Sequence, residues 1–317
     1  FSVEELHEDI DFLQKKYERS HPNLYRYTSK EGISVAFDSL KLAIKDSMTE
    51  QEFYNHIRSI TSYVKDGHSV ITLSKATLKT QFSKKKLPIE LIKKDDSFFI
   101  KDFYLQDSSV QRGDELLSIN QMPIQEIYET IKNRQTTDGY NKTFPSYSTM
   151  NWFMAKYGLN FGYPEKFKLE LKTTNGNTKH VEIPAIMVDS MRTIYRLKYG
   201  KKYVKPASNR AIYLQDLGDS LAFLRIKTFS SSMLKKRYKQ RFRKTIKTVF
   251  SKIEETKPQK LILDLRGNLG GQSTNGNYLL SYLIPKPYKR LVKVKVIPTR
   301  QGKHSIHKIN FRKAVHT

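Results

Sequence analysis

Residues 261–271, LILDLRGNLGG, hold the densest set of groups able to do chemistry. An aliphatic strand runs into Asp-Leu-Arg and then into a glycine-bearing loop, which brings free backbone N–H groups to the carboxyl edge of a sheet. Glycine there lets the main chain approach a bound group closely. A helix beginning near Ser273 or Thr274, with Tyr278, Leu279, Tyr282 and Leu283 on one face, adds the positive end of its dipole. Such a loop can bind phosphate or stabilise the oxyanion of acyl transfer. The phosphate reading lacks the Lys-Ser/Thr of a P-loop and the spacing of a dinucleotide fingerprint. A tight turn that needs glycine for its own geometry is the plainer alternative.

The second set is VKDGHSVI, residues 64–71, where Asp66 suits a turn and His68 offers an imidazole. A lone histidine at a strand start is ordinarily a surface or capped residue. His304 and His307 have the spacing of a metal pair, but KHSIHK has no acidic or histidine neighbour and reads as a solvated tail. The chain has no cysteine, which excludes disulfides, thiolate metal sites and a cysteine nucleophile.

Three regions must position these groups. Up to about Val64 the chain reads as helical: Ser2 with Glu5 and Thr49 with Glu52 are capping boxes, and apolar stripes run through Val3, Leu6, Ile10, Leu13 and Tyr17, then Phe37, Leu40 and Ile44, then Phe53, Ile57 and Ile60. His21-Pro22 ends the first helix. From Val70 the period changes to two, with strands expected at 70–73, 89–92, 97–100, 113–120, 167–171 and 180–183. Residues 136–164, rich in Tyr, Asn, Ser and Gly, read as an insertion or long functional loop, and 190–209 as a linker. Beyond it come strands at 211–214 and 221–226, and one long helix with Leu234, Tyr238, Phe242, Ile246, Val249, Phe250 and Ile253 on a single face. The strand at 260–264 has three consecutive aliphatic residues, which predicts burial on both faces within a parallel sheet. A further strand is expected at 291–297.

DLRGNLGG resembles the Asp-Leu-Arg-x-Asn-x-Gly-Gly signature of the C-terminal processing (tail-specific) serine peptidases, in their tricorn-like and retinoid-binding-protein-like branch. LAFLRIKTF, residues 221–229, is similar to the strand before the family's long helix. RGDELLSINQMPIQEI, residues 112–127, resembles the family's PDZ module, and VKDGHSVI its Asp-Gly-His segment. The resemblance implies an α+β multi-domain fold: an N-terminal helical domain at 1–69, a PDZ-like β-rich module at 70–189 with an insertion at 136–164, the linker at 190–209, and at 210–317 part of an α/β catalytic core of the ClpP/crotonase-like kind. It implies a serine endopeptidase with His68 as general base, Gly270 and Gly271 at the oxyanion hole, and Asp66, Arg266 and Asn268 supporting the loops. No cofactor or metal is implied. The expected partner is an extended peptide or protein, and the expected location is the periplasm or cell envelope of a bacterium, after export.

Three departures stand out, one being that the insertion at 136–164 interrupts the PDZ-like module. Gln121 occupies a position where the PDZ-like pattern usually has glycine. No Ser-x-Ser-Ala-like segment follows Gly271; Ser273, Ser281 and Ser305 lack the strand-to-helix setting of a nucleophile. The nucleophile is therefore expected beyond Thr317, in a chain truncated at its C-terminal side, and the alternative is an inactive homologue acting as a peptide-binding or scaffold protein.

Composition narrows the remaining classes. At 38% hydrophobic and 12% aromatic, 317 residues can build two or three cores. No apolar run reaches the ~18 residues that span a bilayer. No signal peptide is visible; the first residues already read as a capped helix, so a targeting segment could have been removed beforehand. The net charge of +26 raises a third reading, a nucleic-acid or anionic-surface binder. Zinc-finger spacing and aromatic-basic RNA motifs are absent, so no nucleic-acid partner is expected.

Overall fold

The computed structural model describes residues 1–105, 109–200 and 210–287. It divides into two compact units, Phe1–Gly200 and Lys201–Thr317.

The first unit opens with α1 (Val3–Ser20), α2 (Lys30–Leu42), α3 (Glu50–Ile57), a 3-10 turn (Arg58–Ile60) and α4 (Thr61–Val64). Both capping boxes form; Ser2 Oγ accepts the Glu5 N–H at 3.3 Å while the Glu5 carboxylate accepts the Ser2 N–H at 2.8 Å. Each box satisfies two otherwise orphaned donors, which is why these starts could be read from sequence. Leu6, Ile10, Ile33, Phe37 and Ile60 form the helical core. Lys65 is left-handed (φ 52°) and turns the chain from α4 into Asp66.

The strand expected at 70–73 is absent. Leu73 is buried and Val70 exposed, so the alternation exists, but no neighbouring strand completes a ladder. Instead Ser74 caps α5 (Lys75–Phe82), held by a Glu50 carboxylate that accepts its N–H at 2.5 Å.

An antiparallel sheet follows: β1 (Ile89–Lys94), β2 (Ser97–Phe103), β3 (Glu115–Ile119), β4 (Met122–Pro123), β5 (Lys166–Lys172) and β6 (Thr178–Pro184), in the order β1-β2-β3-β5-β6 with β4 paired to β3. α6 (Ile124–Asn133) buries Ile124, Ile127 and Ile131 in the core of this sheet. The turn between β3 and β4 places Asn120 (φ 50°) and Gln121 (φ 69°) in the left-handed region, as a two-residue hairpin requires. That explains the family's glycine at the Gln121 position. Asn120 secures the turn by donating its N–H to the Lys168 carbonyl at 2.7 Å and accepting the Lys168 N–H at 2.9 Å.

Two expectations for this unit need correction. The insertion at 136–164 is no long loop, because it contains α7 (Thr143–Asn151) and α8 (Phe153–Phe161), and Phe153 and Tyr157 join the core of the sheet. Residues 190–199 are no linker but the body of α9 (Val188–Tyr199), anchored by Met191, which is 4% exposed. Residues 136–142 are polar and 190–199 carry Arg192, Arg196 and Lys198, which masks amphipathic segments whose apolar residues, Phe153, Tyr157 and Met191 among them, dock them. The remainder of the proposed linker, 201–209, lies outside the described residues.

The second unit contains β7 (Ile212–Asp216), β8 (Leu221–Ile226), α10 (Ser231–Tyr238), α11 (Phe242–Thr256), β9 (Lys260–Asp264) and α12 (Ser273–Leu283). β8 pairs antiparallel with β7 and parallel with β9, from Leu221↔Lys260 to Arg225↔Asp264. The expected single helix is broken: Lys239 is left-handed (φ 55°), and buried Gln240 turns inward, where Oε1 accepts the Ala211 and Ile212 N–H groups at 2.6 and 3.1 Å. Leu234 and Phe242 both reach the core, so the apolar stripe runs through the break and conceals it. β9 is not buried on both faces either; it ends the order of the described strands, and Ile262 is 44% exposed. The strand expected at 291–297, with Ser305, His304 and His307, lies outside the described residues. Among the described residues no helix is long and apolar enough to cross a membrane.

Candidate functional site

β9 delivers Asp264 to its carboxyl end almost wholly buried. Arg266 folds back onto it, with Nε 2.8 Å from Oδ1, Nη2 3.1 Å from Oδ2 and the backbone N–H 3.0 Å from Oδ1. Arg225 of β8 approaches Oδ2 at 3.3 Å. The Arg266 side chain, its backbone N–H and then Arg225 outweigh the cost of burial and hold the Asp264 carboxyl at about 2. The first turn of the loop is thus locked by a charge that stays ionised.

Asn268 fixes the second turn. Its Nδ2 donates to the Ile226 carbonyl at 2.9 Å and its Oδ1 accepts the Gly270 N–H at 2.7 Å. The Gly270 carbonyl then accepts the Phe229 N–H at 2.9 Å, and the Gln272 N–H donates to the Phe229 carbonyl at 3.1 Å. Gly271 sits between them at φ 144°, where a β-carbon would overlap the Phe229 carbonyl carbon and the Ser230 nitrogen. Only glycine fits that approach. The Gly271 N–H has no hydrogen-bond partner among the described residues and lies on an exposed residue. Buried Asn275 of α12 supports the far side, donating to the Phe229 carbonyl at 2.8 Å and to Ser231 Oγ at 2.9 Å. Of the two glycines named from sequence, Gly270 therefore has its donor engaged and Gly271 has its donor free.

In the first unit the Asp-Gly-His turn is built as tightly. Asp66 Oδ1 accepts the His68 N–H at 2.8 Å and lies 3.5 Å from His68 Nδ1. Its Oδ2 is 2.9 Å from His21 Nε2. Burial pushes the Asp66 carboxyl up, but the His68 N–H and the His21 contact overcome it and leave the group below its ordinary value. Thr136 Oγ1 donates to the Asp66 carbonyl at 2.7 Å, and Asp138 Oδ1 accepts the Gly67 N–H at 2.7 Å. A β-carbon on Gly67 would press within 3.0 Å of the Asp138 carboxylate. The His68 side chain itself stands 95% exposed on a braced turn, with Asp66 beside its Nδ1.

Asp66, His68 and Asp138 each present one ligand atom within 4.8 Å of the others, the only grouping of that kind among the described residues. Both carboxylates already accept backbone N–H groups. His21, Thr136 and Asp138 were not picked out from sequence: His21 reads only as a helix end, and the other two fall in the stretch taken for a loop. The spacing Thr136-x-Asp138-Gly139, a turn signal, is the one trace they leave.

Residues 220–314 match the model of peptidase family S41, and residues 83–192 that of a PDZ domain. No curated protein matches the chain. Among solved structures, a crystal structure of a CPAF point mutant is 16% identical with a TM-score of 0.62, covering 88% of this chain and 59% of that one. Mature CPAF is 17% identical with a TM-score of 0.58, covering 88% and 58%. Mature CPAF complexed with lactacystin is 18% identical with a TM-score of 0.58, covering 88% and 59%. The fold is thus shared, and the chain spans about three fifths of the length of those structures. The family resemblance and the α+β fold class read from sequence are both borne out.

Proposed function

We propose, from a chain that carries a peptidase family S41 segment beside a PDZ domain, that the full-length protein cleaves peptide bonds by serine acyl transfer. The observation that carries this reading is the free N–H of Gly271, held on a loop that Asn268 and Gln272 fix on either side. A donor that is already oriented, and has no partner to give up, stabilises a developing oxyanion without reorganisation. Gly270 shapes the loop, and Arg266 and Asp264 clamp its start.

His68 serves as general base, taking the proton from the attacking serine and returning it to the leaving amine. Asp66, beside Nδ1, favours the tautomer with the proton on Nδ1 and so leaves Nε2 to act as the base. The serine comes from a part of the protein that the described residues do not include. The PDZ domain engages an extended peptide by strand addition. This chemistry needs no metal or cofactor, and an exported protein of the bacterial cell envelope is the setting that fits it.

A fluorophosphonate probe on the full-length gene product tests the reading. Stoichiometric labelling of one serine, lost in His68→Ala, is the expected result. No labelling of a folded product would replace the peptidase with a peptide-binding homologue that has no catalysis.

A further inference from the structure

Three cations meet inside the first unit without a carboxylate to balance them. Arg58, in the turn between α3 and α4, is 8% exposed. Its Nη2 donates to the Arg134 carbonyl at 3.0 Å, its guanidinium lies 4.8 Å from the centre of the Tyr54 ring, and its Nη1 is buried with no hydrogen-bond partner. Arg134, at the end of α6, donates from Nη1 to Asn160 Oδ1 at 2.8 Å. Lys156 of α8 donates to Ser148 Oγ at 2.6 Å and to the Gln135 amide oxygen. Gln135 and Ser148 are buried as well. Thr149, next to Ser148 on α7, carries a buried hydroxyl that also has no partner.

The charges bearing on this cluster are of one sign. Burial first, and then the Arg58 guanidinium, act on both Arg134 and Lys156, and no acidic residue offsets them among the described residues. Together they bring Lys156 down to about 7. Trp152, its ring 5.6 Å from the ammonium, and the neutral Gln135 and Ser148 complete its surroundings. Arg58 is buried and Arg134 and Lys156 are half-buried, and cations held there without a counter-charge are unfavourable, so a lost proton or a bound anion relieves them. The unused Nη1 donor of Arg58 favours the ion, since losing the Lys156 proton would leave it still unsatisfied.

We propose that Arg58, Arg134 and Lys156 form a binding site for a small anion. The site joins α8 and the end of α6 to the turn that precedes α4. Gln135, which bonds Lys156, is followed directly by Thr136, which holds the Asp66 carbonyl. Occupancy of the site therefore stiffens the brace behind the Asp-Gly-His turn. This holds whether or not the protein is a peptidase.

The test is the unfolding temperature of the chain in chloride, acetate or phosphate, at constant ionic strength kept with a bulky sulfonate. At about pH 6, where Lys156 is charged, one or more of these anions raises the midpoint by a few degrees along a saturating curve. At about pH 9 the rise shrinks, because the uncharged amine no longer attracts the ion. The three salts separate a halide site from a carboxylate or phosphate site. Lys156→Met abolishes the saturating rise. If that variant fails to fold, chloride-35 line broadening by the unmodified chain, reversed by the tighter anion, gives the same answer. A flat response to all three anions at about pH 6 overturns the proposal, as does a rise that Lys156→Met retains, which would assign the effect to the surface charge.

Discussion

Asn268 accepts the N–H of Gly270 through Oδ1 at 2.7 Å, and with the other end of the same amide it donates to the Ile226 carbonyl at 2.9 Å. One side chain thereby ties the glycine loop to the end of β8 and uses up the donor of one glycine while leaving that of the next. Asn268→Ala removes both bonds and leaves the Ile226 carbonyl without its partner. The expected loss is about 1–3 kcal/mol in urea unfolding. A loss below about 0.5 kcal/mol in Asn268→Ala would show that the loop is held without this amide.

The two glycines differ in what they tolerate. Gly270 (φ 87°) faces open space, so Gly270→Ala carries only the strain of a left-handed residue, about 1–2 kcal/mol. At Gly271 (φ 144°) a β-carbon meets the backbone of Phe229 and Ser230, which cannot yield without breaking the Phe229↔Gly271 bridge. Gly271→Ala is expected to cost more than Gly270→Ala by at least about 1 kcal/mol, measured by denaturant midpoint at unchanged slope. The reverse order would mean that the loop is not held against Phe229.

How much of this could be read in advance depended on whether a signal was local. The capping boxes at Ser2 and Thr49 and the strand-loop-helix around Asp264 are written in adjacent residues and were legible there, whereas the turn at Asn120-Gln121 was hidden in a segment read as strand up to residue 120. The break at Lys239 left no mark, because Leu234 and Phe242 keep the helical spacing across it. Likewise β9 carries the aliphatic run of a central strand although Ile262 is largely exposed. The partners of Asp66 were invisible for a different reason. His21 and Thr136 lie 45 and 70 residues away, and only the folded chain shows that they converge. Sequence supplied His68 and the glycines; it could not tell which glycine has its donor to spare.

The Asp264–Arg266 pair sets an acid limit for the second unit. Asp264 is depressed to about 2 in the folded chain, mainly by the Arg266 side chain, against about 3.9 when unfolded. The unfolded state therefore takes up the proton first. The stabilisation is complete above about pH 4 and is lost as pH falls toward 2. Arg266→Met leaves the backbone N–H and Arg225 in place but raises the Asp264 carboxyl toward its unfolded value, so the acid-side fall in urea midpoint starts at the same pH, is smaller and ends at higher pH. Since Arg266 is exposed, the size of the effect is reduced by solvent and salt, and the pH at which the fall ends is the quantity to read. Superimposable acid limbs for the two chains would remove the pair from the account.

His68 and Asp66 should separate stability from chemistry. The His68 side chain is 95% exposed, so His68→Ala is expected to change stability by no more than about 0.5 kcal/mol. Its effect on peptide hydrolysis by the full-length protein should be a loss of at least about 100-fold, the usual range for a positioned general base. Asp66→Ala behaves differently, because it releases both the His68 N–H and His21, and its expected cost is about 1–2 kcal/mol in addition to lost activity. The paired measurement is urea unfolding beside peptide turnover. If His68→Ala retained turnover, the imidazole would be a bystander on a structural turn, and the base would have to be sought among groups other than the Asp-Gly-His segment.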